Sequence, residues 1–80
     1  MDIDIVYNSM LNILNQNGYV EIISELNKLS RVGVTGSEIL SSTGGFLFDL
    51  KVKNNQAYSL IENDVLNYLN YCKSYGIIIK

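Results

Sequence analysis

Apolar residues recur along this chain at intervals of three and four, and polar residues fill the gaps. That period places the apolar set on one side of a helix, so the pattern predicts amphipathic helices. Over residues 3–16, Ile3, Val6, Tyr7, Met10, Ile13 and Leu14 share a face, while Asn8, Asn12 and Asn15 lie opposite. Asp2 is placed to cap this helix, and Asp2 and Asp4 both suit the positive end of its dipole. Gly18 is placed to stop it in a left-handed conformation. A second helix is predicted over residues 19–30. Its core face is Tyr19, Ile22, Ile23, Leu26 and Leu29, and its wet face is Glu21, Ser24, Glu25 and Lys28. The short connection at Gly18 predicts an antiparallel hairpin of these two helices.

The third segment opens on Thr35-Gly36-Ser37-Glu38, a capping box. The Thr35 hydroxyl accepts from the Glu38 amide and the Glu38 carboxylate reaches back, with Val34 and Ile39 spaced for a hydrophobic staple. The helix is expected to reach residue 50 or 53, with Ile39, Leu40, Phe46, Leu47 and Leu50 on its apolar face. Ser37, Ser41 and Gly45 sit four apart beside that face, and Gly44 adjoins them. Small residues at this spacing admit a close helix neighbour, and such a contact offsets the cost of two adjacent glycines, about 1 kcal/mol each against alanine. The rival expectation is a break at Gly44-Gly45 followed by a strand over residues 46–52. The fourth helix is predicted over residues 56–75, with Tyr58, Ile61, Val65, Leu69 and Cys72 inward and Asn63, Asn67, Asn70 and Ser74 outward. Gly76 is its expected stop. The tail at 77–79 is all isoleucine and is expected either to pack on the bundle or to pair as a strand with residues 32–34.

The expected fold is therefore all-α, a compact bundle of about four helices in a single domain over residues 1–80, with a short C-terminal strand as an option and a small α+β fold as the alternative. At 80 residues, one core is all the chain has room for. The start at Met1 reads as that of a whole small protein. A core of this size rarely supplies more than roughly 3–5 kcal/mol, so burial against a partner or a second copy is expected to contribute. Hydrophobic content of 48% argues for a folded globule.

Charge narrows the function classes. The net charge is −2, and the six basic residues are scattered. Nucleic-acid binders carry a basic stripe, so no nucleic-acid partner is expected. A helix-turn-helix reading of the second and third helices fails because Thr35, Gly36, Ser37 and Glu38 offer no Arg or Asn to base edges. No apolar run approaches the roughly 18 residues of a membrane span. The acidic opening Met1-Asp2-Ile3-Asp4 is unlike a secretory signal. The single cysteine, Cys72, precludes an internal disulfide and points to a reducing cytoplasm.

No catalytic or cofactor-binding constellation emerges, so no enzyme activity and no cofactor are expected. The chain has no histidine, which removes the Ser–His and Cys–His pairs and the His-containing zinc sites. Cys72 falls mid-arc on the fourth helix, where a thiol packs as a small hydrophobe. Glu21 and Glu25 lie on a wet face beside Lys28, and Glu62 and Asp64 diverge on a helix, so neither pair makes a metal site. The turn at Gly33-Val34-Thr35-Gly36 matches neither the P-loop nor the GxGxxG pattern, and Glu38 repels anions there.

Tyrosine supplies the one suggestive feature. Tyr68, Tyr71 and Tyr75 fall in a narrow sector at the edge of the fourth helix's core face. They either roof the core or form a partner-binding ridge, tyrosine being enriched in interface hot spots. The preferred expectation is a small cytosolic, bacterial, non-enzymatic module that docks on and neutralises another protein, as immunity and antitoxin proteins do. Acidity favours association with a basic target. The alternatives are a self-associating structural or regulatory helical protein, joined through the small-residue face or the isoleucine tail, and, further off, a DNA-binding regulator.

Overall fold

A computed structural model describes residues 2–32 and 35–79. Its elements are α1 (Ile3–Gln16), α2 (Val20–Val32), α3 (Gly36–Lys53) and α4 (Asn55–Ser74). Among the described residues there is no strand. The segment at 46–52 is helical throughout, which corrects the strand alternative.

The helix ends follow the local chemistry. Asp2 holds an extended conformation and its carboxylate accepts from the Asp4 amide at 3.0 Å. Thr35 caps α3 in the same way, its hydroxyl accepting from the Glu38 amide at 3.2 Å. Val34, the staple partner proposed for Ile39, lies outside the described residues. Asn54 alone joins α3 to α4: its amide donates to the Leu50 carbonyl at 2.8 Å, and its side chain accepts from the Ala57 amide at 3.1 Å.

Both glycine stops are Schellman caps. Gly18 (φ +79°) donates to the Asn15 carbonyl at 3.2 Å, and the Tyr19 amide reaches back to Leu14 at 3.0 Å. Gly76 (φ +77°) repeats the arrangement, with its amide on Lys73 and the Ile77 amide on Cys72, each at 3.0 Å. Only glycine takes that left-handed conformation without strain. The second cap turns the chain back, so residues 77–79 return towards α3 rather than running on.

Each helix packs on its two neighbours: α1 on α2, α2 on α3, α3 on α4, and α4 on α1. The short connections make neighbours antiparallel, which gives an up-down-up-down bundle of 32 × 23 × 22 Å. The core is drawn from Val6, Met10 and Leu14 of α1, Leu26 of α2, Leu47 and Leu50 of α3, and Ala57, Tyr58, Ile61, Val65, Tyr68 and Cys72 of α4. Ser9 Oγ donates to Asp64 Oδ2 at 2.8 Å and ties α1 to α4. α4 bends at Ile61, where φ is −118° and ψ 15°.

The isoleucine tail forms no strand. α2 continues through Val32, residues 33–34 lie outside the described residues, and residues 77–79 are irregular. Ile77 and Ile79 pack on the core while Ile78 faces solvent. A three-residue apolar tail gains more by burying two side chains on a preformed helix surface than from an isolated pair of strands.

Candidate functional site

The bundle end that carries the start of α1, the end of α2, the start of α3 and the end of α4 holds an open cavity of about 330 Å³. Antiparallel packing brings those four termini to one place. Ile3, Ile39 and Leu40 supply apolar wall. Thr43 and Tyr68 are buried and mark the inner end, whereas exposed Asp4 and half-buried Tyr71 mark the rim. Tyr7 and Ser30 complete the hydroxyl-bearing side, where the Tyr7 hydroxyl donates to Asn27 Oδ1 at 3.4 Å.

The three candidate tyrosines divide between core and surface. Tyr68 is only 3% exposed, so its ring belongs to the core. Tyr71 is half-buried and Tyr75 is 65% exposed. Their rings lie 4.9 Å apart at an interplanar angle of 47°, and the Tyr71 hydroxyl donates to the Tyr75 hydroxyl at 3.4 Å. One turn apart at the end of α4, with Tyr75 at its C-cap, they form a partly exposed aromatic pair beside the cavity, which Tyr71 lines.

Electrostatics separate them too. Burial pushes the Tyr68 phenol up to about 12, the Thr43 hydroxyl acts in the opposite sense, and Cys72, Tyr7 and Tyr71 add smaller raising effects. The hydrogen bond to Tyr75 raises the Tyr71 phenol, followed by desolvation, the charge of Tyr75, and the carboxylates of Asp4 and Asp2. The ridge therefore lies in the field of the acidic start of α1.

The small residues of α3 also divide. Gly44 is buried, and an added Cβ would meet Ile79 Cδ1 at 3.0 Å and Cys72 Sγ at 3.4 Å. A Cβ on Gly45 would meet nothing within 4 Å. Ser37 and Ser41 are exposed. The four do not act as one seam: the close approach is made at Gly44 alone, by the tail and α4.

Cys72 is buried with its thiol 3.6 Å from the Leu40 carbonyl, and burial pushes its pKa up. Such a thiol is a poor nucleophile. Glu21, Glu25 and Glu62 are exposed. Among the described residues no three acidic or cysteine side chains gather as metal ligands, and no helix is long and apolar enough to cross a membrane.

Sequence reasoning passed over Thr43. It sits four residues after Ile39 and four before Leu47, on the apolar face of α3, and a hydroxyl at a core position was the available signal.

Comparison of the chain with protein-family models, with curated proteins and with solved structures finds no match.

Proposed function

We propose that this chain is a non-enzymatic protein-binding module that docks through Tyr71 and Tyr75 onto a partner surface presenting Lys or Arg. The observation that carries this reading is the tilted Tyr71–Tyr75 pair, of which Tyr75 is exposed and Tyr71 half-buried. Paired aromatics left in water on a chain this small forgo burial, and binding recovers it. Asp2 and Asp4 stand beside the pair and the net charge is −2, so a basic partner is complementary. Aromatic faces also attract guanidinium and ammonium groups. An inhibitor of the immunity or antitoxin kind fits these properties. A lone thiol suits a reducing compartment such as the cytoplasm.

Capture of the tagged chain's partners from lysate of its own source, run beside the Tyr71→Ala/Tyr75→Ala variant, tests the reading. A stoichiometric protein with a basic face, held by the wild type and lost by the folded variant, is the expected result. Equal capture by both chains, or capture of nothing, counts against it.

One observation favours self-association as a second reading. Exposed Phe48 and Ile78 border an open apolar groove with Leu69 and Ile77. A symmetric dimer across this face makes Tm rise with protein concentration. Concentration-independent melting at monomeric mass contradicts it. The small-residue face of α3 is a poorer candidate, because the chain's own tail already occupies Gly44.

A further inference from the structure

The flank of α4 away from Tyr71 and Tyr75 carries a second exposed stripe. Past the bend at Ile61, Glu62, Leu66, Leu69 and Lys73 follow one another at spacings of four, three and four. That spacing lines up one seam along a helix, of the kind that packs against another helix. The core face of α4 runs through Ile61, Val65, Tyr68 and Cys72. The seam lies about a quarter-turn to one side of that face, and the tyrosine pair lies on the other side. Glu62 and Lys73 are exposed, Leu66 is 49% exposed, and Leu69 is half-buried against the core. Leu69 and Lys73 also line the open groove that exposed Phe48 and Ile78 border.

The order of charges along the seam selects its occupant. An acid stands at one end, a base at the other, and two leucines between them. Among the described residues, neither the Glu62 nor the Lys73 side chain has a partner within the chain. Glu62 stands as far before the midpoint of the seam as Lys73 stands after it, and Leu66 and Leu69 share that midpoint. A two-fold axis through the midpoint runs the α4 of a second copy antiparallel to the first. Each Glu62 then faces the second copy's Lys73, and each Leu66 faces the second copy's Leu69. A parallel pair instead sets acid on acid and base on base, which is repulsive. An isologous interface must be complementary to itself, and this seam is so in the antiparallel sense alone. The axis also brings both α3 flanks to one side of the pair, where the two Phe48 side chains add apolar cover to the leucines.

We propose that this chain forms a two-fold symmetric homodimer in which the α4 helices pack antiparallel along Glu62, Leu66, Leu69 and Lys73. The proposal rests on the self-association reading above and gives it an axis and a register. It leaves the Tyr71–Tyr75 pair of each copy uncovered on the opposite flank of α4.

The test is sedimentation equilibrium of the full chain at low salt, from about 10 μM to about 1 mM. The chains compared are the wild type, Glu62→Lys, Lys73→Glu and the double variant Glu62→Lys/Lys73→Glu. Both positions are exposed, and circular dichroism checks that each variant stays folded. The wild type is expected to pass from monomer to dimer across this range. Each single variant sets like charges at both ends of the pair and should weaken the dimer about tenfold. The double variant restores both pairs with the signs exchanged and should return to within about threefold of the wild type. An equimolar mixture of the two single variants should form the heterodimer in preference to either homodimer, because one seam then carries only bases and the other only acids. Added salt should shrink the gap between the wild type and the single variants. A wild-type dimer that neither single variant weakens, or a double variant no tighter than the singles, overturns this register and leaves self-association standing on another face. A wild type that stays monomeric up to about 1 mM overturns both.

Discussion

Ile79 sits on Gly44: a Cβ added at that glycine would come within 3.0 Å of Ile79 Cδ1. The Schellman cap at Gly76 turns the chain so that the tail lands on α3 at Gly44, where no side chain stands in its way. Adjacent glycines in mid-helix are thereby explained in part, since Gly44 makes room for the tail and for Cys72.

The two glycines should respond differently to alanine. Gly45→Ala meets open space and should stabilise the fold by about 0.5–1 kcal/mol through helix propensity. Gly44→Ala should gain less or nothing, because the tail must give way. In an Ile79→Ala background the Gly44→Ala gain should return to that of Gly45→Ala. Urea denaturation of the four variants checks this, and equal gains at both glycines in the otherwise wild-type chain would remove the tail from its seat.

The tyrosines should separate by stability. Tyr68→Ala opens the core and should cost about 3–5 kcal/mol, much of the stability of a domain this small. Tyr75→Ala, at an exposed position, should stay within about 0.5 kcal/mol. Thermal and urea unfolding followed by circular dichroism distinguish them. Similar losses at both positions would mean that Tyr75 is also structural.

Alkaline pH should expose the buried phenol. The Tyr68 pKa is pushed up to about 12, chiefly by burial, from an ordinary value of 10.0. The folded state holds this proton more tightly than the unfolded state, so the stabilising contribution is full below pH 10 and is lost as pH rises towards 12. Tyr68→Phe lacks this contribution, so its stability should fall less steeply across that window. Urea midpoints of the two proteins between pH 9 and pH 12 make the comparison. Parallel curves would show that the Tyr68 phenol titrates alike in both states.

How much of this was legible in the sequence depended on range. Asp2, Gly18, Thr35 and Gly76 act on residues within five positions of themselves, and the helix ends they implied match those observed, α4 stopping one residue short at Ser74. The four-helix bundle followed from period and short connections. The strand alternative at 46–52 arose because Gly44-Gly45 reads as a break, and its correction needed the tail, thirty-odd residues away, to be seen filling the gap. Tyr68, Tyr71 and Tyr75 share a helical sector, but neighbouring α1 and α3 decide that the first is buried and the last is not. The cavity was invisible for the same reason. It exists only where four helix termini meet, and the spacing of no single segment announces it.

The proposed docking ridge of Tyr71 and Tyr75 is tested most directly by the Kd of the captured partner, purified, for the wild type and for Tyr71→Ala/Tyr75→Ala. Two hot-spot tyrosines predict a loss of at least about thirtyfold, the equivalent of roughly 2 kcal/mol, with the variant's circular dichroism unchanged. A folded variant that binds within about threefold of wild type, a difference under 1 kcal/mol, would contradict the account and return the pair to the role of a roof over the core.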